Sequence, residues 1–175
     1  MPTKIFHIKD NLGPLLQEII NNKPDVEFVA YTRPDPSMND TSIEIRTKKI
    51  DPKVILVIED DETMRAAMKK IFELDGYVVK LAAEATELSQ ALDEATPDLI
   101  LLDVGLPWLN GFELAQMLKE HKELKKIPIV FVSGKTSEED VKKAFEIGAD
   151  DYIKKPFEID KLKKSVETLL KLNRK

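Results

Sequence analysis

From about Lys53 onward, short apolar runs alternate with amphipathic segments, and this rhythm restricts the chain to one class of fold. The runs are Val54–Ile58, Tyr77–Leu81, Leu99–Leu102, Ile129–Val132 and a short Tyr152–Ile153. The first, third and fourth are apolar throughout, as parallel strands covered on both faces must be. Tyr77–Leu81 is more mixed and suits an edge position. Between the runs, Met64, Ala67, Met68, Ile71 and Phe72 follow i, i+3, i+4, i+7, i+8 spacing, which puts them on one helical face. Similar stripes are Leu88/Ala91/Leu92/Ala95, Leu114/Ala115/Leu118, Val141/Ala144/Phe145 and Leu162/Val166/Leu169. Asp75-Gly76, Thr96-Pro97 and Ile147-Gly148 supply helix stops. Five βα units in succession specify an α/β fold, a five-stranded doubly wound parallel sheet with right-handed crossovers.

Residues 1–52 break this rhythm. Leu12, Leu15, Leu16, Ile19 and Ile20 form a helical stripe. Two alternating segments follow, Asp25–Thr32 and Ser42–Thr47, with the Pro-rich Arg33-Pro34-Asp35-Pro36 between them as a turn. The pattern is strand–helix–strand–strand, a small α+β unit expected to serve dimerisation or docking. A unit of about 50 residues is marginal alone, so it is expected to pack on a second copy, on the body at 53–175, or on another protein. Ile50-Asp51-Pro52-Lys53 is too short a link for free tumbling.

Composition narrows the chemistry. There is no cysteine, so disulfides, thiol catalysis and Cys-ligated metals are excluded. Only two histidines occur, His7 and His121, so any metal must be held by carboxylates, which selects hard ions such as magnesium or calcium. The 27 basic and 32 acidic side chains leave a net charge of −5, which argues against broad nucleic-acid or anionic-membrane binding. No apolar run approaches the roughly 20 residues of a membrane span. The start of the chain leads into no signal-peptide core. A soluble, cytoplasmic protein is expected.

Ligands of open parallel α/β sheets sit beyond the carboxyl ends of the strands. Glu59-Asp60-Asp61 follows the first strand, Asp103 the third, Ser133-Gly134 the fourth and Lys154-Lys155-Pro156 the fifth. Each has a plainer reading. The acids after the first strand could cap the next helix, and Asp61 is expected to do so in any case. Asp103 before Val104-Gly105-Leu106-Pro107 could be ordinary turn chemistry. Ser133-Gly134 is a common loop pair, and both lysines could be solvated. Their conjunction at the ends of different strands favours a shared site. Clustered carboxylates repel one another, and an oxygen-ligated magnesium ion resolves that conflict.

Residues 53–175 resemble the receiver domain of two-component response regulators. The resemblance rests on Val54-Ile55-Leu56-Val57-Ile58-Glu59-Asp60-Asp61, Leu102-Asp103-Val104-Gly105-Leu106-Pro107, Asn110-Gly111, Val132-Ser133-Gly134 and Tyr152-Ile153-Lys154-Lys155-Pro156-Phe157. It implies the flavodoxin-like strand order 2-1-3-4-5. It also implies that Asp103 accepts a phosphoryl group from a phosphohistidine of a partner histidine kinase. Glu59, Asp60, Asp103 and the Gly105 carbonyl would hold Mg2+, and Lys155, not Lys154, would contact the phosphoryl group. Ser133 would hydrogen-bond a phosphoryl oxygen, and Tyr152 would be an aromatic switch that turns inward with it; as a plainer reading, Tyr152 is an edge-strand aromatic. Glu59 stands where aspartate is usual. Gly105 stands where the family's side chain tunes dephosphorylation. Trp108, the one tryptophan, falls in the loop after Asp103, so its fluorescence is expected to report magnesium or beryllofluoride.

A second resemblance concerns residues 1–50. Lys9-Asp10-Asn11-Leu12-Gly13-Pro14-Leu15-Leu16, Val26–Pro36 and Ile43-Glu44-Ile45-Arg46-Thr47 are similar to the small assembly (L-type) subunit of archaeal and eukaryotic RNA polymerase. Asn11, Pro14 and Asp35 depart from that family's usual residues, and its long second helix is missing. A plain dimerising or docking extension is the alternative. The expectation overall is a phosphorelay response regulator, with no enzymatic turnover beyond its own phosphorylation and dephosphorylation. Its output would run through a downstream protein target, a homodimer or an RNA polymerase subunit, without direct contact to nucleic acid. The alternatives are a receiver-fold scaffold or dimerisation adaptor that is never phosphorylated, and a magnesium phosphatase. Asp103-Val104-Gly105 lacks the second acid such phosphatases usually carry, and no Walker loop occurs.

Overall fold

The computed structural model describes residues 3–7, 26–35, 40–49 and 51–172. Its contacts divide the chain into two compact units, Met1–Pro52 and Lys53–Lys175. In the first, β1 (Thr3–His7), β2 (Val26–Asp35) and β3 (Asp40–Lys49) form an antiparallel sheet in the order β1-β3-β2. The expected turn at Arg33-Pro34-Asp35 is instead the end of β2, with Pro34 opposite Thr41. β2 is an edge strand, the place in a sheet where proline is tolerated. The helix expected over Leu12–Ile20 lies outside the described residues.

The second unit alternates strand and helix: β4 (Val54–Ile58), α1 (Glu62–Leu74), β5 (Val78–Ala82), α2 (Ala85–Glu94), β6 (Leu99–Leu102), α3 (Gly111–Glu120), β7 (Ile129–Ser133), α4 (Glu138–Ile147), β8 (Asp151–Lys154) and α5 (Ile159–Leu172). All five strands are parallel, in the order β5-β4-β6-β7-β8. Because strand side chains alternate between faces, the sheet feeds two cores. Leu56, Ile58, Ile100, Leu102 and Phe131 pack with Leu88, Leu114, Leu118 and Ala144 of α2, α3 and α4. Ile55, Val57, Leu99, Leu101, Val130 and Val132 pack with Met68, Phe72, Leu162 and Val166 of α1 and α5. Burial on both sides accounts for the unbroken apolar sequence of the three central strands.

Local chemistry fixes the helix ends. Asp61 caps α1 by accepting from the Met64 N–H at 2.7 Å, Asn110 caps α3 through the Phe112 N–H at 2.9 Å, and Ser137 caps α4 through the Asp140 N–H at 3.1 Å. Such a cap is worth about 1 kcal/mol. Gly76 and Gly148 leave α1 and α4 with φ of +85° and +101°, a conformation costly for any residue with a Cβ. Two expectations need correction. Tyr77 still donates its N–H to Phe72 O at the end of α1, so β5 starts one residue later, at Val78. In α4 it is Ala144 that is fully buried, whereas Phe145 is 49% exposed. No helix among the described residues is long and apolar enough to cross a membrane.

Candidate functional site

Adjacent strands carry their ladder bonds one residue past their ends, and this positions the acids. Glu59 N–H donates to Ala82 O at 3.1 Å, Asp103 N–H to Ile58 O at 2.9 Å, and Lys155 N–H to Ser133 O at 2.8 Å. The carboxyl ends of β4, β6, β7 and β8 thereby present Glu59 and Asp60, Asp103, Ser133 and Lys155 on one rim. One oxygen from each of Glu59, Asp60 and Asp103 lies within 4.8 Å of the others. Glu59, Asp103 and Ser133 are buried, while Asp60 is exposed.

Lys155 Nζ donates to Glu59 Oε2 at 2.6 Å and lies 3.4 Å from Asp103 Oδ1. One ammonium therefore serves two buried carboxylates. Lys154 turns away and donates to Thr136 O at 2.9 Å. Burial pushes the Glu59 carboxyl above its usual range and the negative Asp103 adds to this, against the pull of Lys155 and the Asp61 amide. A divalent cation would relieve the electrostatic conflict among these convergent acids. Three convergent carboxylates, one of them open to solvent, form an all-oxygen donor set of the kind magnesium takes. The residues fit that ion.

The backbone around Asp103 is closely packed. Gly105 N–H donates to Asp103 Oδ2 at 3.0 Å. A Cβ on Gly105 would meet that same oxygen at 3.1 Å, and a Cβ on Gly111 would come within 2.3 Å of Asp103 O. The Asn110-Gly111 pair thus has a mechanical basis: asparagine caps α3, and glycine lets its first turn rest against the Asp103 backbone.

Ser133 is the last residue of β7, and its Oγ accepts from the Lys135 N–H at 3.2 Å. Tyr152 on edge strand β8 is buried, donates its hydroxyl to Lys135 O at 2.6 Å, and lies 5.9 Å from the Phe131 ring. Burial pushes its phenol above the usual range. Tyr152 is thus an edge-strand aromatic whose ring is turned into the core. Trp108 lies in the loop after Asp103 and donates its indole N–H to Ala83 O at 2.7 Å, joining that loop to the one after β5.

Sequence reasoning missed Arg65, whose Nη1 donates to Glu59 O at 2.8 Å and Asp60 O at 3.0 Å. The one available signal was its position four residues after the capping Asp61.

Residues 55–167 match the response regulator receiver domain. The chain belongs to that family. The receiver unit is 41% identical over 103 residues to the aerobic respiration control protein ArcA of Escherichia coli K12, an alignment covering 59% of this chain and 42% of ArcA. The chain thus spans less than half of that relative. The non-phosphorylated HemR receiver domain from Leptospira biflexa superposes with a TM-score of 0.63 at 33% identity, covering 71% of this chain and 98% of that one. The receiver domain of sensor histidine kinase PA1611 from Pseudomonas aeruginosa PAO1 shares the fold at 22% identity, with a TM-score of 0.62 and coverage of 69% and 99%; it was solved with a magnesium ion in its active-site cleft. The flavodoxin-like arrangement expected of residues 53–175 is the one this receiver unit adopts.

Proposed function

We propose that the receiver unit accepts a phosphoryl group on Asp103 from a phosphohistidine of a histidine kinase. The observation that carries this reading is the convergence of Glu59, Asp60 and Asp103 around Lys155 at the carboxyl ends of the strands. Glu59, Asp60 and Asp103, with the Gly105 carbonyl, would hold Mg2+, which neutralises charge on the transferring group when bound.

The remaining work belongs to the chain's own residues. An Asp103 carboxylate oxygen forms the new O–P bond as the N–P bond to the donor imidazole breaks, and the imidazole nitrogen takes up a proton. The Gly105 N–H, 3.0 Å from Asp103 Oδ2, orients that carboxylate. Lys155 is close enough to Asp103 to meet a phosphoryl oxygen, exchanging part of its bond to Glu59 for the incoming charge. Ser133 Oγ, held by the Lys135 amide, supplies a hydroxyl on the same rim. Ser133 and Tyr152 both bond to the backbone of Lys135, so a phosphoryl group drawing on Ser133 shifts the segment leading to α4. That is the two-state element of a switch.

Output then passes through protein contacts, those of residues 1–52 included, to a second copy or to the transcription machinery. Such a protein works in the cytoplasm and turns over no substrate other than its own phosphoryl group. The test is incubation of the full chain with acetyl phosphate and magnesium beside Asp103→Asn. Wild type is expected to gain one acid-stable, base-labile phosphoryl group and the variant none; equal labelling removes Asp103 as the acceptor.

A further inference from the structure

Successive residues of an extended strand send their side chains to opposite faces. Glu59 and Asp60 follow β4 directly, yet both bring a carboxylate oxygen to one point with Asp103. The chain must therefore leave the extended path between them. The carbonyls of the turned segment are bonded to one residue in the first turn of α1. Arg65 donates its backbone N–H to Asp61 O at 2.9 Å. Its Nη1 donates to Glu59 O at 2.8 Å and to Asp60 O at 3.0 Å. Three consecutive carbonyls thus end on Arg65. Consecutive carbonyls of a strand also point to opposite sides, so one nitrogen reaching two of them is a second mark of the turn. Asp61 ties the same segment to α1 by capping the Met64 N–H.

The geometry points to Arg65 as a positioning residue of the cation site: it holds the Glu59–Asp60 backbone in the turn that lets both carboxylates face Asp103. This inference rests on reading the cleft as a magnesium site. Two physical effects of Arg65 have opposite signs. As a charge beside the cleft, a guanidinium repels a divalent cation, so its removal tightens binding. As a clamp on the ligand backbone, it preorganises the carboxylates, so its removal weakens binding.

The experiment titrates the full chain with magnesium chloride by calorimetry for wild type, Arg65→Met and Arg65→Lys. Amide hydrogen exchange at Glu59 and Met64, whose N–H groups are bonded to Ala82 O and Asp61 Oδ1, is followed in chelator. Arg65→Met, apolar and without donors, is expected to raise the magnesium Kd at least tenfold and to speed exchange at these two amides. Arg65→Lys, which keeps a cationic donor, is expected to recover part of both losses. If Arg65→Met does not fold, Arg65→Gln, too short to reach Glu59 O, takes its place under the same criterion. A magnesium Kd equal to or tighter than wild type, or unchanged exchange, overturns the assignment. Failure of wild type itself to bind magnesium would instead sink the proposed function, and exchange in the metal-free protein would still judge the clamp.

Discussion

Two glycines at the rim separate close packing from ordinary loop chemistry. A Cβ on Gly111 would stand 2.3 Å from Asp103 O and 2.6 Å from Val104 Cα, backbone atoms that move only if Asp103 and its loop move. Gly111→Ala is expected to lower the unfolding free energy by about 1–3 kcal/mol, as overpacking does, and to slow labelling of Asp103. Gly134 has nothing within 4 Å of its notional Cβ, so Gly134→Ala should stay within about 0.5 kcal/mol. Urea denaturation of both variants decides the point; equal losses would mean contact with Asp103 is not what requires glycine at 111. The same contrast explains what was legible in the sequence. Glu59, Asp60, Asp103 and Lys155 could be read because their chemistry lies in residue type and their place in the order of strands. Arg65 and the Lys135 carbonyl act through bonds to main-chain atoms, which leave no mark on the partner's identity.

The strands were readable because burial on both faces forces apolar residues at every position, as at Leu99–Leu102. Helix flanks were less so: Val141, Ala144 and Phe145 share helical spacing, yet only Ala144 is fully buried. Spacing gives direction around a helix, and the depth of the groove it meets is a tertiary property. The edge strands carry a further consequence. Tyr77 just before β5 and Tyr152 within β8 both hold their phenol protons above the usual range, each chiefly through burial. Above about pH 10 the unfolded phenols ionise while the folded ones stay protonated, so the unfolded state binds fewer protons and stability falls as pH rises. Below that pH the contribution is fully present. Each phenol can add at most about 1.4 kcal/mol per pH unit to the slope. Tyr77→Phe/Tyr152→Phe is expected to unfold with a visibly shallower loss of stability between pH 10 and 11, measured by urea midpoint. An unchanged slope would mean that the two phenols do not carry the alkaline loss.

For the molecule as a whole, the proposed magnesium site would couple folding to ion binding. One ammonium on Lys155 faces the Glu59 and Asp103 carboxylates at 2.6 and 3.4 Å, and burial, with Asp103 a smaller contributor, pushes Glu59 toward protonation. Folding of the receiver unit thus works against the desolvation of its acids, which Lys155 offsets only in part. An ion that binds only the folded state adds RT ln(1 + [L]/Kd), about 2.7 kcal/mol at a hundred times Kd. For a domain of this size that corresponds to a rise of roughly 8–15 °C in Tm. Asp103→Asn has opposite effects in the two conditions. It removes one of the two repelling acids and leaves the Lys155–Glu59 pair intact, so in chelator it is expected to melt at or above wild type. It also removes a ligand, so in excess magnesium it is expected to melt below wild type. The two melting curves should therefore exchange order when magnesium is added. A parallel rise in both proteins would mean that the ion does not use Asp103, because a mutation affecting only packing shifts Tm in the same direction with or without metal.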